Sequence, residues 1–174
     1  MRRTLAFTAA LVLTGAVAIG ASADTGPTAR IAAKKITGEG VGQVKLGMTF
    51  QDARDKGLVG KLRPGCEFGG PETRSARLRS PLRGFVDFTL TTPRKINNIL
   101  ITRGARARGV KVGDRISDIR AAYDVVKVNK STEEVFGVWL ARVPKSAGGR
   151  ITFSVPVATK RIDAIGVPFI PFCE

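Results

Sequence analysis

The chain contains 174 residues, with 29 Lys and Arg against 14 Asp and Glu, a formal net charge of +15 and no histidine. Without histidine the usual zinc ligand sets cannot be assembled, and the general base of an enzyme would have to be a carboxylate, a lysine or a tyrosine. The composition therefore argues against a zinc site and restricts the chemistry open to an enzyme.

The first 23 residues have the pattern of a secretion signal. Residues 1–3 (Met-Arg-Arg) are positive, residues 5–20 are nearly all apolar, and residues 21–23 (Ala-Ser-Ala) are the small residues that a signal peptidase needs. An uncleaved membrane anchor is the competing interpretation, but the apolar run is short for a span and no second run follows. We predict a secreted protein, extracellular or associated with the cell envelope, that begins at Asp24 and has no transmembrane segment after cleavage.

Beyond this leader, the chain repeats itself at an offset of 66 residues. Residues 44–54 align with residues 110–120, and residues 95–101 align with residues 161–167. A self-match at one spacing, at both ends of a unit, indicates that one supersecondary unit is used twice.

The domain organisation predicted from these patterns has four segments. They are a signal peptide (1–23), a mobile N-terminal arm (24–35), repeat 1 (36–104) and repeat 2 (105–174). The basic joint between the repeats, residues 103–109, is too short to be a flexible linker. We therefore expect the two units to move as one body.

Each repeat contains a short predicted helix. In repeat 1, Thr49 is suited to cap the helix N-terminus with Asp52 three residues on, and Gly57 ends the helix. In repeat 2, either Asp114 or Ser117 starts the helix. An apolar face is predicted from the helical spacing of Ile116, Ile119 and Tyr123.

Strands with alternating apolar residues follow each helix. They are predicted over residues 86–90, 96–101, 135–143, 151–155 and 162–167. Alternation indicates a sheet covered on one side only, with the helix as the natural cover. The predicted fold class is α+β, with two tandem repeats, each a short helix packed on an antiparallel β-sheet, and the sheets side by side.

Several motifs carry a family resemblance. They are Gly47-Met48-Thr49 and its degenerate counterpart Gly113-Asp114-Arg115, with Gly65-Cys66 and a penultimate Cys173. This combination resembles the secreted β-lactamase-inhibitor-protein-like and outer-membrane-assembly-lipoprotein-like superfamily, and more closely a group of uncharacterised secreted proteins of high-GC Gram-positive bacteria. The resemblance implies the repeat fold. It does not carry over enzyme inhibition, because the aromatic-rich concave sheet and the within-repeat disulfides of the inhibitors are missing here.

The chain has two cysteines, Cys66 and Cys173. An even count in an exported chain of this size favours a disulfide. A redox-active pair or a metal site is disfavoured, because there is no Cys-x-x-Cys and no histidine. We predict a Cys66–Cys173 bond that ties the end of repeat 2 to repeat 1.

Five residues are predicted to contribute to a binding surface. The densest basic stretch lies over residues 74–83, and the candidates are Arg74, Arg77, Arg79, Arg83 and Trp139. If Arg77 and Arg79 lie on one face of a strand, their guanidinium groups present paired donors to phosphate or carboxylate. Ordinary solvation explains the arginines equally well. Trp139 is either an interface anchor or a partly buried strand residue.

The function predicted from these features is that of an exported, non-catalytic interaction module that binds a protein partner in the envelope or the medium. The alternative is a basic protein that binds an anionic envelope polymer, such as a wall polymer or an acidic polysaccharide, although the positive charge also serves solubility. Nucleic acid is disfavoured, because aromatic residues are not interleaved with the arginines. No enzyme activity, cofactor or metal is expected, since the Gly-x-Ser-x-Gly, Ser-x-x-Lys and P-loop motifs are missing.

Overall fold

The structure, a computed structural model, describes residues 33–67, 70–146 and 149–172. The predicted signal peptide, most of the predicted arm and Cys173 lie outside these residues. In the described residues the helices are α1 (Phe50–Asp55), α2 (Ile116–Ala122) and α3 (Glu133–Phe136). The strands are β1 (Lys34–Thr37), β2 (Gly40–Val41), β3 (Val44–Lys45), β4 (Val59–Pro64), β5 (Arg74–Leu78), β6 (Arg83–Phe88), β7 (Ile96–Arg103), β8 (Ala105–Arg106), β9 (Lys127–Asn129), β10 (Val138–Ser146), β11 (Gly149–Pro156) and β12 (Ala164–Val167). This content confirms an α+β class that is mostly strand.

The larger sheet has eight strands in the order β4-β5-β6-β7-β12-β11-β10-β9, and its neighbours are antiparallel. At its centre β7 pairs with β12, where Ile99 lies opposite Val167 and Ile101 opposite Ile165. The expectation of two sheets side by side is corrected by this pairing. The strands form one continuous sheet, because β7 and β12 satisfy each other's backbone hydrogen bonds.

The smaller sheet has four short strands in the order β3-β2-β1-β8. Lys34 and Lys35 of β1 are the parallel register partners of Ala105 and Arg106 of β8. These two lysines fall within the predicted mobile arm. The described chain is instead in a strand from Lys34 onward, because the joint between the two halves supplies its hydrogen-bond partner.

Helix α1 begins and ends where the sequence predicts. The Thr49 hydroxyl accepts a hydrogen bond from the Asp52 backbone N–H at 3.1 Å and donates to the Asp52 carboxylate at 2.6 Å. Gly57 follows the helix with φ +65°, and its N–H donates to the backbone oxygen of Arg54 at 2.8 Å. Both termini are fixed by local hydrogen bonds.

Helix α2 begins at a residue that the sequence did not indicate. Its N-cap is Arg115, whose backbone N–H donates to the Asp118 carboxylate at 2.8 Å. The Asp114 carboxylate accepts from the Lys111 N–H at 2.9 Å, and Ser117 lies inside the helix. The predicted start was wrong because Asp118, the third residue of the helix, provides the cap. Its carboxylate accepts a hydrogen bond from the backbone N–H of the N-cap residue, as the Glu of a capping box does.

Several strand predictions were wrong at their ends, and β12 begins at Ala164, two residues after its predicted start. Val135 and Phe136, predicted to begin a strand, lie in α3, which ends at Gly137 with φ +63°. Strand β6 ends at Phe88, two residues before the predicted limit. Short apolar runs do not distinguish a helical turn from a strand, and the left-handed glycine decides the boundary of α3.

Both longer helices cover the same face of the larger sheet. The ring of Phe50 in α1 meets Phe88 edge-on at 5.5 Å, and Tyr123 after α2 packs against Phe153 at 6.1 Å. Ile119 is fully buried. These contacts confirm the apolar face predicted for the second helix and form the main core.

The opposite side of the sheet is called the helix-free face here. One row of register partners crosses it through seven strands: Arg77, Phe85, Leu100, Gly166, Thr152, Arg142 and Lys127. Leu100 and Thr152 in this row are buried. The prediction that the sheet is covered on one side only is therefore wrong at the centre of the sheet. In the part of the chain that is described, no helix is long and apolar enough to span a bilayer.

Candidate functional site

The last described residues, 168–172, fold back across the helix-free face and are called the C-terminal segment. The Thr152 hydroxyl donates to the backbone oxygen of Pro168 at 2.9 Å. A Cβ atom on Gly166 would overlap the backbone oxygen of Phe169, so glycine is required for this close approach. The segment therefore buries the middle of the face that the helices leave open.

The C-terminal segment contacts both halves of the sheet. The ring of Phe172 is stacked on Phe136 of α3 with centroids 4.1 Å apart. The backbone oxygen of Phe172 lies 3.4 Å from the Sγ atom of Cys66, which follows β4. No cysteine among the described residues is free. Cys173 lies outside them, so the Cys66–Cys173 bond stays a prediction that this proximity supports.

A cavity of about 340 Å³ opens beside the C-terminal segment. Its wall combines apolar and polar side chains, among them Phe88, Leu90, Phe169, Phe172, Arg74 and Asp87. It is called the Asp87 cavity here. Its size and its mixed wall are those of a site for one side chain or one small ligand.

On the polar wall of this cavity the half-buried Asp87 is paired with the buried Asn98. The Asn98 side-chain amide donates to the Asp87 carboxylate at 3.1 Å. Burial raises the pKa of Asp87 above its ordinary value, and the hydrogen bond from Asn98 opposes part of that rise. The side-chain oxygen of Asn98 is buried without a hydrogen-bond partner among the described residues. Such a pair has unused hydrogen-bonding capacity beside a cavity.

Exposed apolar side chains gather around the same cavity, and they are called the apolar rim. Its members are Leu90 (58% exposed), Phe136 (41%) and Phe169 (45%). Leu90 and Phe169 line the cavity, and Phe136 joins them through its stack on Phe172. Val125, exposed to 55%, lies between α2 and β9 and does not line the cavity.

Two of the predicted arginines lie on β5. Arg74 lines the Asp87 cavity, where its guanidinium donates to the backbone oxygens of Pro71 at 2.6 Å and Thr73 at 2.8 Å. Arg77 is exposed on the helix-free face, opposite Phe85. Of the two, the structure places Arg74 at the candidate site.

The other two predicted arginines lie elsewhere. Arg79 follows the end of β5, its Nε–H donates to the backbone oxygen of Val59 at 3.2 Å, and it lines a second cavity. Arg83 opens β6 opposite Arg103 of β7. Because β5 ends before Arg79, Arg77 and Arg79 do not form the pair on one strand face that the sequence suggested.

Trp139 is on the helix-covered side of the sheet, since its register partner is the buried Val155. Its indole N–H donates to the Glu133 carboxylate at 2.8 Å, and the Lys130 ammonium lies 4.9 Å from its ring centroid. The structure therefore does not bring Trp139 together with Arg77 or with the Asp87 cavity.

Sequence inspection missed the residues that form the cavity. Asp87 and Asn98 each place a polar side chain next to buried apolar residues within a strand, and this interruption is the signal that was available. Phe169 and Phe172 follow the last strand, where an apolar run without a strand pattern indicates a packed terminus.

Among the described residues, no group of three or more His, Cys, Asp or Glu side chains is placed to hold a metal ion. Comparisons of the chain with known proteins gave no match to a family model, to a curated protein or to a solved structure.

Proposed function

We propose that this protein is an exported, non-catalytic interaction module that binds an apolar segment of a protein partner at the apolar rim. The observation that carries the proposal is the gathering of Leu90, Phe136 and Phe169 around one cavity while each remains exposed. Contiguous exposed apolar side chains are typical of interaction sites. Anchor side chains that enter a pocket supply most of the binding free energy of such interfaces.

The partner's chemistry follows from the cavity wall. An apolar anchor of the partner would contact Phe88 and Phe172, which lie inside the rim. A hydrogen-bond donor beside that anchor would reach the Asp87 carboxylate, which accepts a hydrogen bond only from Asn98 within the described part of the chain. The proposal needs neither a cofactor nor a catalytic residue.

A pull-down from the envelope fraction and the medium of the secreting organism tests this function. Leu90→Ser removes an exposed rim residue, and Val125→Ser removes an equally exposed apolar residue outside the rim. We expect a saturable protein partner that is retained at high salt, lost with Leu90→Ser and kept with Val125→Ser. Equal retention by both variants would contradict the rim as the binding surface.

The alternative function is binding of an anionic envelope polymer. It is favoured by the exposure of Arg77 on the helix-free face beyond the part that the C-terminal segment covers. Polymer held by exposed charges would be released as salt rises, because screening weakens such contacts. The salt series in the same pull-down separates the two functions.

The element order supports a duplication as the origin of the fold. Helix α1 is followed by four strands, β4 to β7, and α2 is followed by four strands, β9 to β12, with α3 inserted. The sheet order is the same when it is read inward from either edge. This arrangement supports the proposed tandem repeats and is compatible with the superfamily resemblance. Binding through the sheet face in the manner of the inhibitors is not proposed, because the C-terminal segment occupies the middle of that face.

A further inference from the structure

The second cavity, of about 190 Å³, lies between the smaller sheet and the turn from β5 to β6. Its polar wall is formed by Lys34, Gln43, Arg79 and Ser80. Among the described residues, no Asp or Glu lines it. We propose that this cavity binds a phosphate-type oxyanion, and that the neighbouring cations extend the site along a phosphate-bearing chain. The site is separate from the Asp87 cavity and does not depend on the protein-partner proposal.

Arg79 is held in place before any ligand binds. Its backbone N–H donates to the oxygen of Leu58 at 3.0 Å, and its Nε–H donates to the oxygen of Val59 at 3.2 Å. The two terminal nitrogens of the guanidinium have no such partner among the described residues, which leaves their N–H donors for a ligand. A fixed guanidinium fork suits an oxyanion, because little side-chain entropy is lost when the hydrogen bonds form.

Lys34 of β1 supplies the second charge. Its backbone N–H donates to the oxygen of Gly104 at 3.0 Å, which fixes β1 beside the joint between the halves of the chain. Its side-chain stem passes over Gly42, where an added Cβ atom would lie 3.5 Å from the Lys34 Cδ atom. Lys34 lines the cavity, so its ammonium is the second cation of the proposed site.

Two further cations, Arg83 and Arg103, stand in the chain next to residues at the cavity wall, Arg83 directly after Leu82. Arg83 and Arg103 are register partners on β6 and β7. Gly104, next to Arg103, lies so close to Pro81 of the cavity wall that a Cβ atom would overlap the Pro81 backbone oxygen. Like charges directly opposite each other in an antiparallel pair are destabilising. An anion bound between them would remove that repulsion, which is the physical reason for extending the site to a chain of phosphates.

The ligand is defined by its chemistry. A single phosphate would occupy the cavity between Lys34 and Arg79, and a second one along the chain would meet Arg83 and Arg103. Inorganic phosphate and linear tripolyphosphate are therefore the probes, since only the longer anion can engage both pairs. Comparing them distinguishes a site for free phosphate from a site for a phosphate-bearing chain.

Isothermal titration calorimetry of the secreted chain, at an ionic strength where the screening length is about 8 Å, tests the proposal. We expect Lys34→Gln with Arg79→Gln to weaken phosphate binding by about tenfold or more. The matched control is Arg120→Gln with Lys127→Gln, which removes the same charge from exposed positions on α2 and β9. We expect the control to change phosphate affinity by less than about twofold.

Lys34→Gln alone keeps the backbone pairing of β1 and therefore tests the site even if the double variant is poorly folded. It should weaken phosphate binding by about threefold. Arg83→Gln with Arg103→Gln should weaken tripolyphosphate binding several-fold more than it weakens phosphate binding. No phosphate binding by the parent chain, or equal losses in the site and control variants, would overturn the proposal. Unchanged tripolyphosphate binding after removal of the flanking pair would overturn its extension.

Discussion

The ring of Phe172 is stacked on the ring of Phe136, with centroids 4.1 Å apart and planes within 9° of parallel. Phe136 precedes β10, whereas the backbone oxygen of Phe172 lies 3.4 Å from the Sγ atom of Cys66, which follows β4. Phe172 therefore contacts residues that adjoin strands near opposite edges of the larger sheet. The C-terminal segment is held across the helix-free face by contacts at both of its sides.

Loss of this stack should loosen the C-terminal segment. We expect Phe136→Ala to lower the free energy of unfolding by about 1 kcal/mol, the contribution typical of an aromatic pair. Val125→Ala is the control, because Val125 is also exposed and lies outside the rim. Urea denaturation followed by circular dichroism measures the free energy of unfolding of both variants. Equal effects of the two substitutions would show that the stack contributes nothing beyond exposed apolar area.

The predicted disulfide between Cys66 and Cys173 can be tested by mass. We expect the natively secreted protein to take up no alkylating reagent until it is reduced. Serine at both positions should lower the free energy of unfolding by about 2–5 kcal/mol, as removal of a native disulfide from a small secreted domain does. Intact-mass spectrometry decides the bonding state, and two alkylatable thiols without reductant would contradict it.

Gly166 should not tolerate a side chain. A Cβ atom there would overlap the Phe169 backbone oxygen and press on Ile170, so Gly166→Ala must displace the C-terminal segment. We expect a loss of about 1–3 kcal/mol in the free energy of unfolding and faster proteolysis near residues 168–172. Gly60→Ala is the matched control, because its Cβ would meet only the Arg77 backbone oxygen at 3.6 Å. Similar stability of the two variants would argue against close packing of the segment.

Asp87 should make stability depend on pH in a particular direction. Burial raises the pKa of Asp87 above the ordinary value of 3.8, so the folded state binds a proton more readily than the unfolded state. The stability contributed by this group is therefore greatest at low pH and is lost as pH rises from about 3.8 through the folded pKa.

Asp87→Asn removes that titration. Denaturation of both proteins at several pH values should show the variant gaining stability relative to the parent as pH rises through this window, with a constant difference above it. A stability difference that does not change with pH, or that changes in the other direction, would contradict the assignment.

The two halves should fold only together. In a fragment covering residues 33–104, Ile99 and Ile101 of β7 lose their partners on β12. A sheet edge exposed in this way is open to pairing with another chain. We expect the fragment to be unfolded or aggregated in thermal scanning and analytical ultracentrifugation. A monomeric fragment with a sharp thermal transition would contradict this prediction.

The amino-acid sequence by itself predicted those helices and strands that depend on interactions between residues close together in the chain. Thr49 and Asp52 cap α1 three residues apart, and Gly57 ends it, so the pattern contains the whole interaction. Apolar alternation located the middle of β6 and β11, because one side of each strand faces the core. Helix α2 shows the limit of this approach, since several polar residues competed to cap it and only the geometry selects Asp118.

Tertiary structure decided everything that depends on partners far apart in the chain. Pairing of β7 with β12 made one sheet where two were expected. The register between strands that are more than sixty residues apart cannot be predicted from a local sequence pattern. The same pairing, together with the folded-back C-terminal segment, brought Asp87, Phe169 and Phe172 to one cavity. It also placed Trp139 and Arg77 on opposite faces of the sheet. Each of these outcomes is set by packing between distant segments, whose free energy depends on the complete fold and not on any local pattern.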